Sequence, residues 1–238
     1  MDATNTKLTI CNKALAHLKA RTVSSLAEQS QQAREANRFY DCERRTLLRA
    51  CDWRFARVQG TLSLLGSIDV AQANPTDLSK QDIIDQFNFL YAYPPSCIRM
   101  VKVYNPYHSI FVEPYGDRHI SHGAMSKFEV MRSPITNVMA IACNLEQAKC
   151  HYTVDMHDAS QFDDMFQDAL GWALADVLCM PLTADKELQQ VVHAGAEKTL
   201  EEAKRKSMGE SPEQQPRESP YTEARESGGG YDGGNHAL

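Results

Sequence analysis

The chain has 238 residues, a net charge of −6, and contains 24% charged and 42% hydrophobic residues. This balance is typical of a globular protein and excludes a disordered chain, and the length allows one large domain or one domain followed by a tail. The negative charge argues against a dedicated nucleic-acid-binding protein, because affinity for phosphate backbones requires clustered lysine and arginine.

Nothing in the sequence indicates export or membrane insertion. Residues 1–8 are polar and lack the apolar core of a secretory signal, and no apolar stretch approaches the length that spans a bilayer. The seven cysteines lie mostly within apolar patterns, which favours buried reduced thiols and folding in a reducing cytoplasm. These cysteines are Cys11, Cys42, Cys51, Cys97, Cys143, Cys150 and Cys179.

Two helices are predicted near the N-terminus. Over residues 6–20, apolar side chains recur at helical spacing. Ser25 and Glu28 match the S-x-x-E pattern of a capping box, which predicts the start of a much longer helix that ends near residues 53–56. One face of this second helix carries an apolar stripe of Ala33, Ala36, Tyr40, Leu47 and Cys51.

A small antiparallel sheet is predicted over residues 87–156, after a polar segment without periodicity at 66–86. Short runs at 98–104 and 110–115 are aromatic or β-branched and are bounded by Pro, Asn or Gly. The runs at 138–143 and 148–154 predict a hairpin that turns at residues 144–146.

Two more helices are predicted after the sheet. Ser160 and Asp163 resemble another capping box, and the apolar positions that follow keep helical spacing until Pro181, which is predicted to stop the helix. Thr183 is predicted to cap a fourth helix that becomes wholly polar by residues 201–206. We expect one shared core, formed by Trp53, Phe55, Phe166, Leu170 and Leu174.

These patterns predict a mainly α fold with an inserted β lobe, and thus the α+β class. We expect an elongated helical bundle, a small antiparallel sheet and an extended C-terminal tail. The predicted boundaries are residues 1–65 for the first bundle helices, 66–156 for the inserted loop and β lobe, 157–206 for the last bundle helices and 207–238 for the tail.

The composition of residues 207–238 is dominated by Gly, Pro, Ser, Glu and Gln. Such a segment buries too little apolar surface to offset the entropy of ordering, so we expect it to become ordered only on a partner. Tyr221 and Tyr231 are its predicted anchors, and Arg217 and Arg225 are predicted to pair with acidic groups. Alternatively, the segment lies along its own chain or a sister copy.

The sequence contains no motif that predicts catalysis. Phosphate-binding loops, dinucleotide-binding turns, nucleophile elbows and H-E-x-x-H pairs do not occur. Cys143, Cys150, His151 and His157 include suitable metal ligands but lack convergent spacing, and buried thiols with surface imidazoles explain them better. We therefore predict no catalytic, cofactor-binding or metal-binding residues. A set of acidic residues is better explained by the helix dipole than by a cation site: Asp155, Asp158, Asp163, Asp164 and Asp168.

The second helix carries an excess of arginines over acidic residues. Among them, Arg44, Arg45 and Arg49 are candidates for contact with a neighbouring subunit or for the lining of a DNA lumen. The competing interpretation is a solvated helix face with ion pairs such as that of Asp41 with Arg45.

Several segments resemble the tail tubular protein A family of short-tailed bacteriophages. They are residues 11–18 (CNKALAHL), 23–30 (VSSLAEQS), 40–56 with its closing WRFA, 91–99 (YAYPPSCIR), 162–175 and the Pro181-Leu182-Thr183 turn. The similarity extends over roughly residues 8–206 with the segments in the family's order, which is more specific than any single segment.

The resemblance implies a head-to-tail adaptor without catalytic activity, assembled as a ring of about twelve copies beneath the portal protein. It further implies that the C-terminal segment engages the portal, that the other end of the ring receives the tail nozzle protein, and that double-stranded DNA passes through the lumen. Localisation in the virion is then expected, after assembly in the host cytoplasm. Two alternatives stay open: a neck or head-completion protein of a longer-tailed phage, or a small DNA-processing enzyme.

Overall fold

The computed structural model describes residues 3–67, 87–105, 110–112, 118–120, 125–133 and 137–209. It has the predicted α+β architecture, in which a β lobe is inserted between the second and third helices of a bundle. None of the helices in these ranges is both long and apolar enough to cross a membrane. The helices are α1 (Ala3–His17), α2 (Gln31–Ala50), α3 (Asp164–Thr183) and α4 (Lys186–Gly209), with single 3-10 turns at Arg54–Ala56 and Ala159–Gln161.

The β lobe contains two four-stranded antiparallel sheets, in the orders β1-β10-β4-β7 and β2-β3-β9-β8, and a β5-β6 ribbon. The single small sheet predicted from the sequence is therefore two sheets. The strands are β1 (Arg57–Thr61), β2 (Leu64–Ser67), β3 (Phe89–Ala92), β4 (Cys97–Tyr104), β5 (Ile110–Val112), β6 (Arg118–Ile120), β7 (Met125–Ser126), β8 (Phe128–Arg132), β9 (Met139–Cys143) and β10 (Lys149–Val154).

The second helix starts later than its sequence pattern predicted. Its N-cap is Ser30, whose side chain accepts a hydrogen bond from the Ala33 amide. The predicted capping box is wrong, because the Glu28 carboxylate accepts from the backbone and hydroxyl of Ser24 instead. Ser24 and Glu28 thus close a local turn that precedes the helix. Within the same turn, the Ser25 hydroxyl accepts a hydrogen bond from the Ala27 amide.

The third helix starts and ends differently from its prediction. Ser160 does not cap it, because the backbone and hydroxyl of Ser160 both donate to Asp158 in the preceding 3-10 turn. Pro181 does not stop it either, because the helix continues for two more residues to Thr183. Proline removes only one backbone hydrogen bond there, in the last turn. The helix ends where Ala184 adopts a left-handed φ of 53°.

The fourth helix is capped by Asp185 rather than by the predicted Thr183. The Asp185 carboxylate accepts hydrogen bonds from the backbone amides of Glu187 and Leu188. Helix α4 then continues to Gly209, so the first three residues of the predicted tail are helical.

The bundle core forms as predicted. Trp53, Phe166, Leu170 and Leu174 are buried in one cluster, and the half-buried Phe55 packs against it. The Phe166 ring lies edge-on to Trp53 and to Phe55, with centroids 5.1 and 5.0 Å apart. The indole of Trp53 donates to the Leu47 carbonyl at 2.7 Å, which ties the residues after α2 to its last turn.

Helices α3 and α4 approach closely at Gly195. The Trp172 ring stacks on His17 at a centroid distance of 3.7 Å, and its other contacts reach α4. A Cβ atom at Gly195 would lie 2.5 Å from this ring. Glycine at this position therefore sets the spacing between the two helices.

The two sheets pack against each other to form a second core. Buried side chains from both sheets meet there, among them Tyr91 and Ile141 from one sheet and Met100, Val103 and Cys150 from the other. This face-to-face arrangement is that of a β-sandwich.

The predicted hairpin of residues 138–143 with 148–154 is wrong, although both strands exist. Strand β9 pairs with β3 and β8, whereas β10 pairs with β1 and β4 in the opposite sheet. Both edges of each strand are thus occupied. The connection between them steps across the sandwich, where the Tyr91 hydroxyl lies 2.5 and 2.6 Å from the carbonyl oxygens of Leu145 and Glu146.

The β lobe begins nine residues earlier than the predicted boundary at residue 66. Strand β1 starts at Arg57, directly after the 3-10 turn, and pairs antiparallel with β10. The N-terminal segment therefore supplies an edge strand to each sheet in addition to two bundle helices.

We expect Leu170→Ala to lower the free energy of unfolding by about 2–5 kcal/mol, because Leu170 is fully buried at the centre of the bundle. Urea denaturation followed by circular dichroism measures the change. The control is Val191→Ala on α4, whose side chain is exposed and whose loss is expected to change stability by less than about 0.5 kcal/mol. Equal stability of the Leu170 variant and the native chain would contradict the core assignment.

Candidate interaction surface

A buried ion pair joins the helical bundle to the β lobe. The Arg44 side chain lies on the core face of α2 and is only 1% exposed. Its Nη1 atom lies 2.5 Å from Oδ1 of Asp155 and 2.6 Å from the carbonyl oxygen of Met156. Asp155 directly follows β10, and its amide donates to the Ser96 carbonyl just before β4. The guanidinium therefore links α2 to the sheet that contains both strands.

The Arg44 network has two further members. Its Nε atom donates to the Asp41 carboxylate at 3.3 Å, and Nη2 lies 3.3 Å from Nδ1 of His157. Burial and these contacts make Arg44 inaccessible to DNA phosphates or to a neighbouring subunit. The hypothesis that it provides such a contact is therefore wrong, and its role is structural.

Arg45 and Arg49, the other two candidates, are on the exposed side of the same helix. The Arg45 side chain is 63% exposed, with its Nε atom 3.6 Å from Oδ2 of Asp155. Arg49 donates from Nη1 to the Ile98 carbonyl at 3.3 Å, and Arg99 donates back to the Arg49 carbonyl at 3.4 Å. These reciprocal hydrogen bonds hold two guanidinium groups where α2 meets strand β4.

A groove of about 750 Å³ separates α2 from the sheets and is named the α2 groove here. Its helical wall presents Arg45 and Arg49, and its sheet wall presents exposed parts of Val130 and Met139. Large apolar side chains beside positive charges are typical of surfaces that bind other proteins. The lining is formed by Asp41, Cys42, Arg45, Thr46, Arg49, Tyr93, Cys97, Ile98, Arg99, Met100, Phe128, Val130 and Met139.

The α2 groove is electropositive. Three arginines and one aspartate line it. Burial raises the pKa of the Cys97 thiol, which donates to the Tyr93 hydroxyl at 3.1 Å, and burial also raises the pKa of Tyr93. Both groups are therefore neutral at pH 7, so the charged groups of the lining are the three arginines and Asp41, which together give an excess of positive charge.

The cysteine and histidine residues considered as metal ligands are not assembled into one site. Cys143 and Cys150 are buried between the sheets, whereas His151 packs its ring edge-on against Tyr104 at 5.1 Å. His157 lies beside Arg44. Within the residues that the structure describes, no three His, Cys, Asp or Glu side chains are placed to hold a metal ion together.

The acidic residues near α3 have local structural partners. Asp155 pairs with Arg44, Asp158 caps the 3-10 turn, and Asp168 forms an ion pair with Lys13 of α1 at 2.6 Å. Asp163 is the N-cap residue of α3, and Asp164 lies in the first turn, where the helix dipole favours a negative charge.

Four residues predicted to anchor the C-terminal tail lie outside the described residues. They are Arg217, Tyr221, Arg225 and Tyr231. Their assignment to partner binding therefore stays a prediction.

Sequence reasoning missed Asp155 as an ion-pair partner, and Arg99 and Met139 as groove residues. For Asp155 a signal was present: Arg44 lies four residues after Tyr40 and three before Leu47, within the apolar stripe of α2. A charged residue at such a position must be buried with a partner of opposite charge. No comparable local pattern marks Arg99 or Met139, which reach the groove only because the sheets fold against α2.

No protein-family model matches the chain, and no curated protein is detectably similar to it in sequence.

We expect Arg44→Met to lower the free energy of unfolding by about 2–4 kcal/mol, because it leaves the Asp155 carboxylate without its main partner. The expected loss of stability is smaller than for a fully buried ion pair, because Asp155 is 18% exposed and keeps its second ion pair with Arg45. Urea denaturation at pH 7 provides the measurement.

The matched control is Arg45→Met on the adjacent, exposed position. Its ion pair with Asp155 is longer and solvated, so we expect a loss below about 1 kcal/mol. If the two variants lose the same stability, Arg44 does not join the bundle to the β lobe as described.

Proposed function

We propose that this protein is a head-to-tail adaptor of a short-tailed bacteriophage, a virion component similar to the tail tubular protein A family. A ring of about twelve copies would fit between the portal protein and the tail nozzle and would leave a passage for DNA. The observation that carries the proposal is the ordered set of family-like segments on a helical bundle with an inserted β lobe, the architecture that the resemblance implies.

The position of these segments in the fold supports the proposal. Residues 11–18 lie in α1, and residues 40–56 cover the second half of α2 and the 3-10 turn that contributes Phe55 to the core. Residues 91–99 lead from β3 into β4, and residues 162–175 include the first half of α3. The resemblance therefore falls on the elements that build the bundle core and connect it to the sheets.

An adaptor needs a subunit of fixed shape and a surface that does not hold DNA tightly, and two properties of the chain meet these needs. The buried Arg44–Asp155 pair and the shared bundle core give the subunit one fixed arrangement of helices and sheets. The net charge of −6 opposes tight binding of phosphate groups. A lumen built from such subunits lets DNA slide instead of holding it.

We expect the purified protein to be monomeric or weakly associated and to form rings only on the portal protein. The sequence lacks the heptad repeat of apolar residues that would indicate strong self-association through a coiled coil. Sedimentation velocity of the protein alone and mixed with portal rings measures both states. Stable rings in the absence of portal would contradict this expectation, and a failure to bind portal would contradict the proposed function itself.

We expect deletion of residues 210–238 to leave the bundle folded but to weaken portal binding strongly. The deletion starts after the end of α4, and it removes the predicted anchors Tyr221 and Tyr231. Circular dichroism checks the fold, and titration onto portal rings at two salt concentrations measures binding. Unchanged affinity and salt dependence would show that this segment does not contact the portal.

A further inference from the structure

The α2 groove has the chemistry of a docking site for an acidic segment that carries apolar anchors. Its guanidinium groups come from Arg45 and Arg49 of α2 and from Arg99 of strand β4. On the wall formed by β8 and β9, Val130 and Met139 are 37% and 44% exposed and give the groove apolar surface next to these charges. A ligand that matches this surface needs several carboxylates and at least one large apolar or aromatic group.

The chain itself contains such a segment. Residues 210–238 include six acidic and two basic side chains, a net charge of −4. The segment also contains two aromatic residues, Tyr221 and Tyr231. Its charge is thus opposite in sign to that of the groove, and its aromatic rings suit the exposed apolar side chains of the sheet wall.

The last turns of α4 share a buried core with residues that border the groove. The last turns of α4 reach the start of α3, because Lys206 Nζ lies 3.7 Å from the sulfur of Met165. Ala203 of α4 belongs to the same buried cluster as Cys51, which follows α2, and Ile98, whose carbonyl binds Arg49. The last turns of α4 therefore pack into the same core as Ile98, which lines the groove beside Arg49 and Arg99.

The charges around Cys51 agree with this placement. Burial raises the pKa of the Cys51 thiol, and the positive charges of both Arg99 and Lys204 oppose that rise. The two cations therefore lie near one thiol, one in the groove and the other in the last turns of α4. Lys204 also pairs with Glu201 at 3.0 Å, so Arg99 is the cation of this pair that faces the groove.

The length of the segment is sufficient to fill the groove without strain. Twenty-nine residues follow Gly209, and an extended chain spans about 3.3 Å per residue. A tethered segment has an effective concentration in the millimolar range, so a dissociation constant below about 1 mM for the groove keeps it mostly occupied.

We propose that in the unassembled protein the α2 groove binds the chain's own acidic segment, residues 210–238. The segment then covers Arg45, Arg49 and the exposed apolar side chains until a partner displaces it. This binding goes beyond the proposed adaptor function and does not depend on it, because only the free chain takes part. In a protein that assembles only on a partner, a bound segment would shield the arginines and apolar side chains of the α2 groove from non-specific contacts.

Site-specific photo-cross-linking of the full-length chain tests the proposal. A benzoylphenylalanine replaces Met139 in the groove, and in a matched control it replaces Val191, which is exposed near the start of α4. After irradiation at low protein concentration, mass spectrometry maps the attached peptides. We expect at least about fivefold more attachment to residues 210–238 from position 139 than from position 191, as tethered binding requires.

A mixture of isotopically light and heavy chains separates attachment within one chain from attachment between chains. We expect cross-links within single chains. Cross-links between light and heavy chains would overturn the proposal in favour of a second copy as the occupant. Equal attachment from both positions, or attachment of position 139 to other parts of the chain only, would also overturn it.

Charge substitutions in the segment test the physical basis of binding without changing the folded core. Changing Glu213, Glu218, Glu223 and Glu226 to Gln removes its net charge, and we expect attachment from position 139 to fall about fivefold. We expect a similar fall for the unchanged segment in 0.5 M salt, which screens the charges. The matched control changes Ser211, Gln214, Gln215 and Thr222 to Ala and keeps the charge. Equal attachment in the two variants would overturn the electrostatic docking of this segment.

Discussion

The structure depends on one buried arginine. Arg44 occupies a core position on α2, where an unpaired charge is strongly unfavourable, and it is stable there only because Asp155 and the Met156 carbonyl meet its guanidinium. Both partners lie in the segment that leaves β10 for the third helix. The pair therefore fixes the helix against the sheets, and with it the width and lining of the α2 groove.

The helical part of the fold could be predicted from the sequence because its signal is local. Apolar side chains at helical spacing marked α1, α2 and α3, and the cluster around Trp53 and Phe166 followed from them. Helix ends were less predictable, since Ser25 and Ser160 have nearby partners that compete with capping. The prediction of a β9–β10 hairpin was wrong because strand pairing depends on segments that are distant in the sequence. Here β9 pairs with β3, and β10 pairs with β4.

The candidate site likewise has some features that local sequence patterns predict and others that only the tertiary structure produces. The arginines of α2 were identifiable in the sequence, and the apolar stripe around Arg44 already indicated its burial. Arg99 and Met139 join Arg45 and Arg49 only through the packing of the sheets against α2, which no local pattern encodes. The groove is therefore a product of tertiary structure, although each of its residues is ordinary in its own element.

The structure combines a bundle and a β lobe joined by a buried ion pair with an electropositive groove that exposes apolar side chains. The sequence adds an acidic segment with two tyrosines. These features are compatible with the proposed adaptor. We propose that such a chain lies in the neck of a phage particle, and electron cryomicroscopy of that neck is the decisive measurement. We expect a ring of about twelve copies directly beneath the portal, with a continuous lumen for DNA. A neck without density for this chain, or a chain found outside any ring, would contradict it.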